Sequence, residues 1–289
     1  MMQDTSEIKA LLHLLDDPDE EIYQTVSTKL KHYGKEIIPN LESFGQQTNN
    51  LDVQVKIEHL IHDVNFKDVL IRFKKWFKDP KSTILDGSIL LTSYLYADFD
   101  NEQIHKTIKS LYQSCWLEVN NYLTPLEQIN VVNSIFYSMY KFTGFELEVN
   151  KPAHYFINEV LDTRNGNNYS LGLLYQIICE KLDIPVFAIQ LPKQFILAYF
   201  STQFDFYKKE ETSLNIQFFI DPNNGTIYTQ NDVDVYLKKY NLKTDEYTYL
   251  PLSNHQNIYN QLEALSQVYL MIDEEEKAAE IQQIMSFKE

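Results

Sequence analysis

Apolar residues recur at helical spacing through the first part of the chain. Ile8, Leu11, Leu12 and Leu15 share one face, and Asp16-Asp17-Pro18-Asp19 then breaks that helix. Glu20 and Glu21 suit the positive end of the next helix, which Ile22, Val26 and Leu30 carry as far as Tyr33-Gly34. A second pair of helices is expected, one from Val53, Ile57, Leu60, Ile61 and Val64 and the next from Phe66, Val69, Leu70, Phe73, Trp76 and Phe77. Asp79-Pro80-Lys81-Ser82 marks a boundary, because proline and polar residues end one pattern before another begins. Three more helices follow. The first carries Ile84, Leu85, Ile89, Leu90 and Tyr94, and the second Ile104, Ile108, Leu111, Cys115 and Tyr122. The third opens on Thr124-Pro125-Leu126-Glu127, with an N-cap, a first-turn proline and a capping-box acid in register. It buries Ile129, Val132, Ile135, Phe136 and Met139, and Gly144 closes it.

The pattern then changes period. Phe156 to Asp162 reads as a short helix and Arg164-Asn165-Gly166-Asn167-Asn168 as a polar loop. Ser170 opens a helix with Leu171, Leu174, Ile177, Ile178 and Leu182 inward, ended by Asp183-Ile184-Pro185. Strands are expected at Val186–Gln190, Gln194–Phe200 and Asn215–Ile220, with a loop from Thr202 to Ser213 and a turn at Asp221-Pro222-Asn223-Asn224-Gly225. Thr229 to Asp232 starts a helix bearing Val233, Val235, Tyr236 and Tyr240. The segments beginning at Ile258 and Glu274 make a closing helical hairpin.

Two helical segments resemble repeat units. Ala10 to Leu41 resembles one HEAT or armadillo repeat, and the last hairpin, through Ala264, Tyr269 and Ala278, has a tetratricopeptide look. Neither is long enough for an independent solenoid, so packing against the rest of the chain is the expected use of both. The expected organisation is a helical arm over residues 1–80, a domain over 81–250 and a hairpin over 251–289. The middle domain divides into a helical part, 81–150, and a core, 151–250.

Lys and Arg number 25 against 41 Asp and Glu, a formal charge of −16, which repels phosphate backbones and anionic membranes. No apolar run is long enough for a membrane span, and Met1 to Glu7 lacks the basic and apolar regions of a signal peptide, so a cytoplasmic protein is expected. Cys115 and Cys179 sit inside apolar helical patterns without metal-ligand spacing, which points to core thiols and to no metal or other cofactor.

The stretch from Asn158 to Gly225 carries the most specific signal. Asn158, Val160, Leu161, Arg164, Gly166, Ser170, Leu171, Pro192, Gln194, Phe195, Asp221, Pro222 and Gly225 follow a pattern that resembles the transglutaminase-like core of SirB-type bacterial proteins. Tyr169 stands beside Ser170, and Asn168 replaces the proline of the pattern. The resemblance covers roughly residues 82–286. It implies an α+β fold, mostly helical, in which a central helix packs on a small antiparallel sheet in the papain-like manner.

The resemblance also implies where a site would lie. Catalytic relatives of the fold place a cysteine at the start of the central helix, a histidine on one strand and an aspartate or asparagine on the next. Helix amides and an imidazolium stabilise the thiolate, and the third residue orients the ring. Those positions fall on Ser170, Gln194 and Asp221. A glutamine amide accepts no proton at working pH, and a serine hydroxyl needs a base, for which His154 or Lys193 would have to substitute. Cys179 is nine residues along the helix from Ser170, roughly 13 Å down the axis, and does not replace it. Ser170 reads as an N-cap hydroxyl worth about 1 kcal/mol, and Asp221 as a turn cap or a polar contact to the Gln194 region. The expected function is a non-catalytic binding, scaffold or regulatory module with a protein or peptide partner. The alternatives are an acyl-transfer enzyme with an atypical serine centre and a helical-repeat adaptor working through the N-terminal arm.

Overall fold

The computed structural model describes residues 5–145, 151–201, 215–244 and 248–288; the expected loop from Thr202 to Ser213 lies outside them. The chain forms two compact units, one of Met1–Lys75 with Ser93–Ala97 and one of Trp76–Thr92 with Asp98–Glu289.

The first unit contains α1 (Thr5–His13), α2 (Glu20–His32), α3 (Ile38–Gln47) and most of α4 (Leu51–Lys78). Asp19 caps α2 by accepting from Glu21 N–H at 2.9 Å, and Gly34 leaves the helix at φ +63°, a conformation that costs glycine nothing. The apolar faces meet in one core that includes Leu15, Leu30, Ile37, Leu41 and Ile57. The expected second pair of helices is instead the single 28-residue α4. No glycine or proline separates Val64 from Phe66, so the helix runs on while its apolar stripe drifts around the axis. Asn65, at the drift, donates to the carbonyls of Ser93 at 2.8 Å and Tyr94 at 3.2 Å.

The second unit holds part of α5 (Ile84–Leu95), then α6 (Asn101–Glu118) and α7 (Pro125–Asn133), which runs on into a π turn over Ser134–Met139. The Thr124–Glu127 capping box forms as expected. Tyr122 falls beyond α6 and is exposed, and Met139 points to solvent because the wider π turn rotates it off the α-helical face.

The centre of this unit is α9 (Asn168–Lys181), whose residues from Ser170 to Cys179 are all buried. Leu171, Leu174, Ile177 and Ile178 each contribute about 1.5–3 kcal/mol by leaving water. The helix packs on an antiparallel sheet ordered β3 (Val186–Leu191), β4 (Gln194–Phe200), β5 (Ile216–Ile220), β6 (Ile227–Tyr228). The other face of the sheet is covered by α10 (Gln230–Lys239), in a core that includes Ile189, Ile196, Ala198, Phe200, Phe219 and Val233. Val235 and Tyr240, assigned to that helix from their spacing, are exposed. A two-residue parallel pair, β1 (Thr143–Gly144) with β2 (Asn165–Gly166), flanks α9, and α8 (Ile157–Thr163) precedes it. The chain closes with α11 (Asn254–Met271) and α12 (Glu275–Met285), packed as the expected hairpin. Among the described residues no helix is long and apolar enough to cross a membrane.

Candidate functional site

The start of α9 is held by side chains that satisfy the free amides of its first turn. Asn167, not Ser170, is the N-cap: its Oδ1 accepts from Tyr169 N–H and Ser170 N–H, each at 3.0 Å. Ser170 sits three residues inside, and its Oγ accepts from Asn167 N–H at 3.1 Å and donates to the Asn167 carbonyl at 3.4 Å. Among the described residues Asn167 is the only hydrogen-bond partner of that hydroxyl. With Asn167 as its cap, the helix begins at Asn168, two residues before the start expected at Ser170.

Backbone geometry crowds this corner. A Cβ on Gly166 would stand 2.7 Å from Ser170 Oγ, so only glycine fits beside the hydroxyl. Arg164 ends α8 at φ +63°, with its guanidinium over the Phe142 ring at 5.1 Å and the Tyr140 ring at 5.8 Å. β1 and β2 are joined by Thr143 N–H to Arg164 O at 2.9 Å, and Phe145 N–H bonds Gly166 O at 3.1 Å. Buried polar atoms without partners among the described residues gather in this motif: Asn158 Oδ1, Arg164 Nη1, Asn167 Nδ2 and Asn223 Oδ1.

The sheet brings the motif's apolar residues, rather than its polar ones, onto α9. A Cβ on Gly172 would lie 2.7 Å from the Phe195 ring and 3.3 Å from Pro222, so both pack against the helix where it has no side chain. Tyr169 meets Phe195 with ring centroids 4.8 Å apart, and its phenol is pushed up in pKa by burial and then by the charge of Glu263. Side chains alternate along β4, so Gln194, Ile196, Ala198 and Phe200 face α10 while Phe195, Leu197 and Tyr199 face α9. Gln194 accordingly lines a cavity of about 430 Å³ with Ile196, Tyr228, Val233 and Tyr236, on the opposite side of the sheet from Ser170. Among the described residues its amide makes no hydrogen bond.

Asp221 is committed to its own turn. Its Oδ1 accepts from Asn223 N–H at 2.8 Å and its Oδ2 from Asn224 Nδ2 at 3.4 Å, while its carbonyl accepts from Gly225 N–H at 2.8 Å. Burial raises the pKa of the carboxyl, and the bonds from Asn223 and Asn224 pull it part of the way back. Gly225 sits at φ +76°, and a Cβ there would lie 2.5 Å from the Tyr137 ring. Of the two roles expected for Asp221, the turn cap is the one observed.

Sequence reasoning missed the residues that clamp this turn. Asn133 Nδ2 donates to Gly225 O at 2.8 Å, Tyr137 donates to Pro222 O at 2.9 Å, and Tyr175 donates to Asn133 Oδ1 at 2.9 Å. Asn133 and Tyr137, four apart at the α-to-π junction, form a polar pair on a buried face, the one signal that could have revealed them. Gln176, inside α9, accepts from Ala188 N–H at 2.9 Å and satisfies part of the outer edge of β3.

The substitute bases and the thiols are placed for other roles. His154 Nδ1 accepts from Lys151 N–H at 3.2 Å, its ring stacks on Phe145 at 4.8 Å, and burial, then Lys151, lowers its pKa. Lys193 is exposed in the β3–β4 turn at φ +65°. Cys115 and Cys179 are free and fully buried, and burial raises the thiol of Cys115 to about 12 and that of Cys179 well above its ordinary value. Among the described residues no group of three or more His, Cys, Asp or Glu side chains is arranged to hold a metal ion.

Comparison with known proteins agrees with this architecture. Residues 102–262 match the family model of the transglutaminase-like superfamily. Protein SirB1 of Salmonella typhimurium is 24% identical over 162 residues, 56% of this chain and 56% of that protein. UPF0162 protein YchA of Escherichia coli K12 is 24% identical over 182 residues, 63% of this chain and 64% of that protein. A UPF0162 protein of Buchnera aphidicola is 23% identical over 158 residues, 55% of each chain. The matched region thus spans less than two thirds of these relatives, and no solved structure matches the chain.

Proposed function

Because the chain belongs to the transglutaminase-like superfamily, in its SirB-type branch, we propose that it is a non-catalytic member that serves as a binding or scaffold module for a protein or peptide partner. The observation that carries this reading is the orientation of Gln194. A base for a nucleophile at Ser170 must reach within about 3 Å of its hydroxyl, directly or through one water. Gln194 has no basic atom and lines a cavity on the other face of the sheet. Two further features support the reading. The Ser170 hydroxyl donates to and accepts from Asn167, and the two oxygens of Asp221 accept from Asn223 and Asn224 within its own turn.

The test is turnover by the purified chain across peptide, ester and amide substrates, with exposure to a fluorophosphonate probe. The expected result is neither turnover nor labelling at Ser170. Hydrolysis or labelling that disappears in Ser170→Ala, while the variant keeps its helical circular dichroism, overturns the reading in favour of acyl transfer.

A further inference from the structure

Away from the α9 face, a cleft of about 540 Å³ opens between the β3–β4 turn, the segment before α11 and the end of α12. Three lysines line it, Lys193, Lys243 and Lys288, and none of its described lining residues is an Asp or Glu. This is the reverse of the chain as a whole, where acids outnumber bases 41 to 25. Among the described residues none of the three lysines is ion-paired, whereas Lys31, Lys35 and Lys277 are. Like charges around a concavity repel one another and focus a positive field into it, a cost that an anion in the cleft would reverse. Lys288 is held in place at the rim: its ammonium lies 3.8 Å from the Tyr259 ring centroid, and burial lowers its pKa while Glu263 partly opposes the shift.

A second, independent feature says what kind of anion fits. β3 is an edge strand. At Ala188 its outward backbone groups are satisfied, the N–H by Gln176 Oε1 and the carbonyl by Leu252 N–H, both at bonds of 2.9 Å or shorter. The outward direction recurs every second residue, so Gln190 presents its N–H and carbonyl to the same edge. Gln190 lines the cleft, and among the described residues neither group has a partner there. Its side chain donates to Leu191 O at 3.0 Å and accepts from Asn260 Nδ2 at 3.3 Å, which holds the edge in place. An unpaired backbone pair beside a charged, partly apolar cleft is the arrangement in which an extended peptide adds to a sheet. Three lysines on separate segments are separate point charges, an arrangement that several carboxylates spaced along one extended strand meet together.

We propose that this cleft binds an acidic peptide segment in extended form, its backbone pairing with Gln190 at the β3 edge and its carboxylates meeting Lys193, Lys243 and Lys288. The site is separate from the α9 face and stands whether or not Ser170 has any chemistry.

The experiment is fluorescence anisotropy on the full chain with a labelled hexapeptide alternating glutamate and leucine. Saturable binding is expected, weakened by salt and weakened at least about tenfold in the Lys193→Gln/Lys243→Gln/Lys288→Gln triple variant, where the charge contacts are gone. The corresponding triple Lys→Arg variant should bind as the parent does, which separates charge from misfolding. N-methylating the peptide backbone should also weaken binding. The proposal is overturned if the peptide does not bind, if a glutamine–leucine peptide binds equally well, or if the triple glutamine variant is unaffected. Displacement by citrate or inorganic phosphate at the peptide's own affinity would make this a small-anion site and overturn it too.

Discussion

Asn167 is fully buried and accepts from two backbone amides that otherwise have no partner in the first turn of α9. Ser170 accepts from one amide, that of Asn167 itself. The two residues form a reciprocal capping box, and their contributions differ because an orphaned buried N–H costs more than a lost bond is worth. Asn167→Ala leaves two such groups and should lower unfolding free energy by about 1–2 kcal/mol. Ser170→Ala leaves one and should cost about 1 kcal/mol or less. Urea unfolding of both variants checks the order, and a larger loss at Ser170 would show that its hydroxyl has a role the capping box does not describe. The distinction was not legible in the sequence, where Asn167, Asn168 and Ser170 are all good cap formers. The choice among them was made by Gly166, which lets the chain turn close against Ser170 Oγ.

At the scale of elements, β4 decides what the motif can do. The Pro192-Lys193 turn joins β3 to β4 with Leu191 paired to Gln194, and this register sends Gln194 to the α10 side and Phe195 to the α9 side. A change of residue type does not change a strand's register. Ser170→Cys combined with Gln194→His, which restores thiol and imidazole, is therefore expected to remain without peptidase or amidase activity. The cysteine, buried at the start of α9, should also react with iodoacetamide no faster than an ordinary thiol. Accelerated alkylation with the pH profile of a thiolate–imidazolium pair would show that residue 194 does reach α9. Most helices were readable in advance because their apolar residues keep a clean period, as in α9 and the α11–α12 hairpin. Strand orientation relative to α9 was not, since β4 is apolar on both faces from Phe195 to Phe200 and alternation alone names no inner face. The π turn after Asn133 was hidden for a different reason: its residues satisfy an α-helical pattern, and the wider winding shows only in backbone bonds such as Tyr140 N–H to Ile135 O at 2.8 Å, five residues back.

At the scale of the whole molecule, charge sets the terms. A formal charge of −16 repels itself, and that repulsion is greater in the folded chain than in the expanded one. Salt acts in two opposing ways. It screens the ion pairs Lys31–Asp63, Lys35–Asp68 and Arg72–Asp68, all partly exposed and each worth about 0–1 kcal/mol, and it screens the excess of carboxylates. Two of these three pairs share the single carboxylate of Asp68, while the repulsion sums over the surface, so the second effect should win. Raising ionic strength from about 0.01 M to about 0.15 M shortens the screening length from about 30 Å to about 8 Å and should raise the thermal midpoint. The same step should weaken any peptide held by Lys193, Lys243 and Lys288. Opposite responses of stability and binding to one variable are what an acidic protein with a local cationic cleft requires. A midpoint that falls with added sodium chloride would mean that the ion pairs outweigh the net charge.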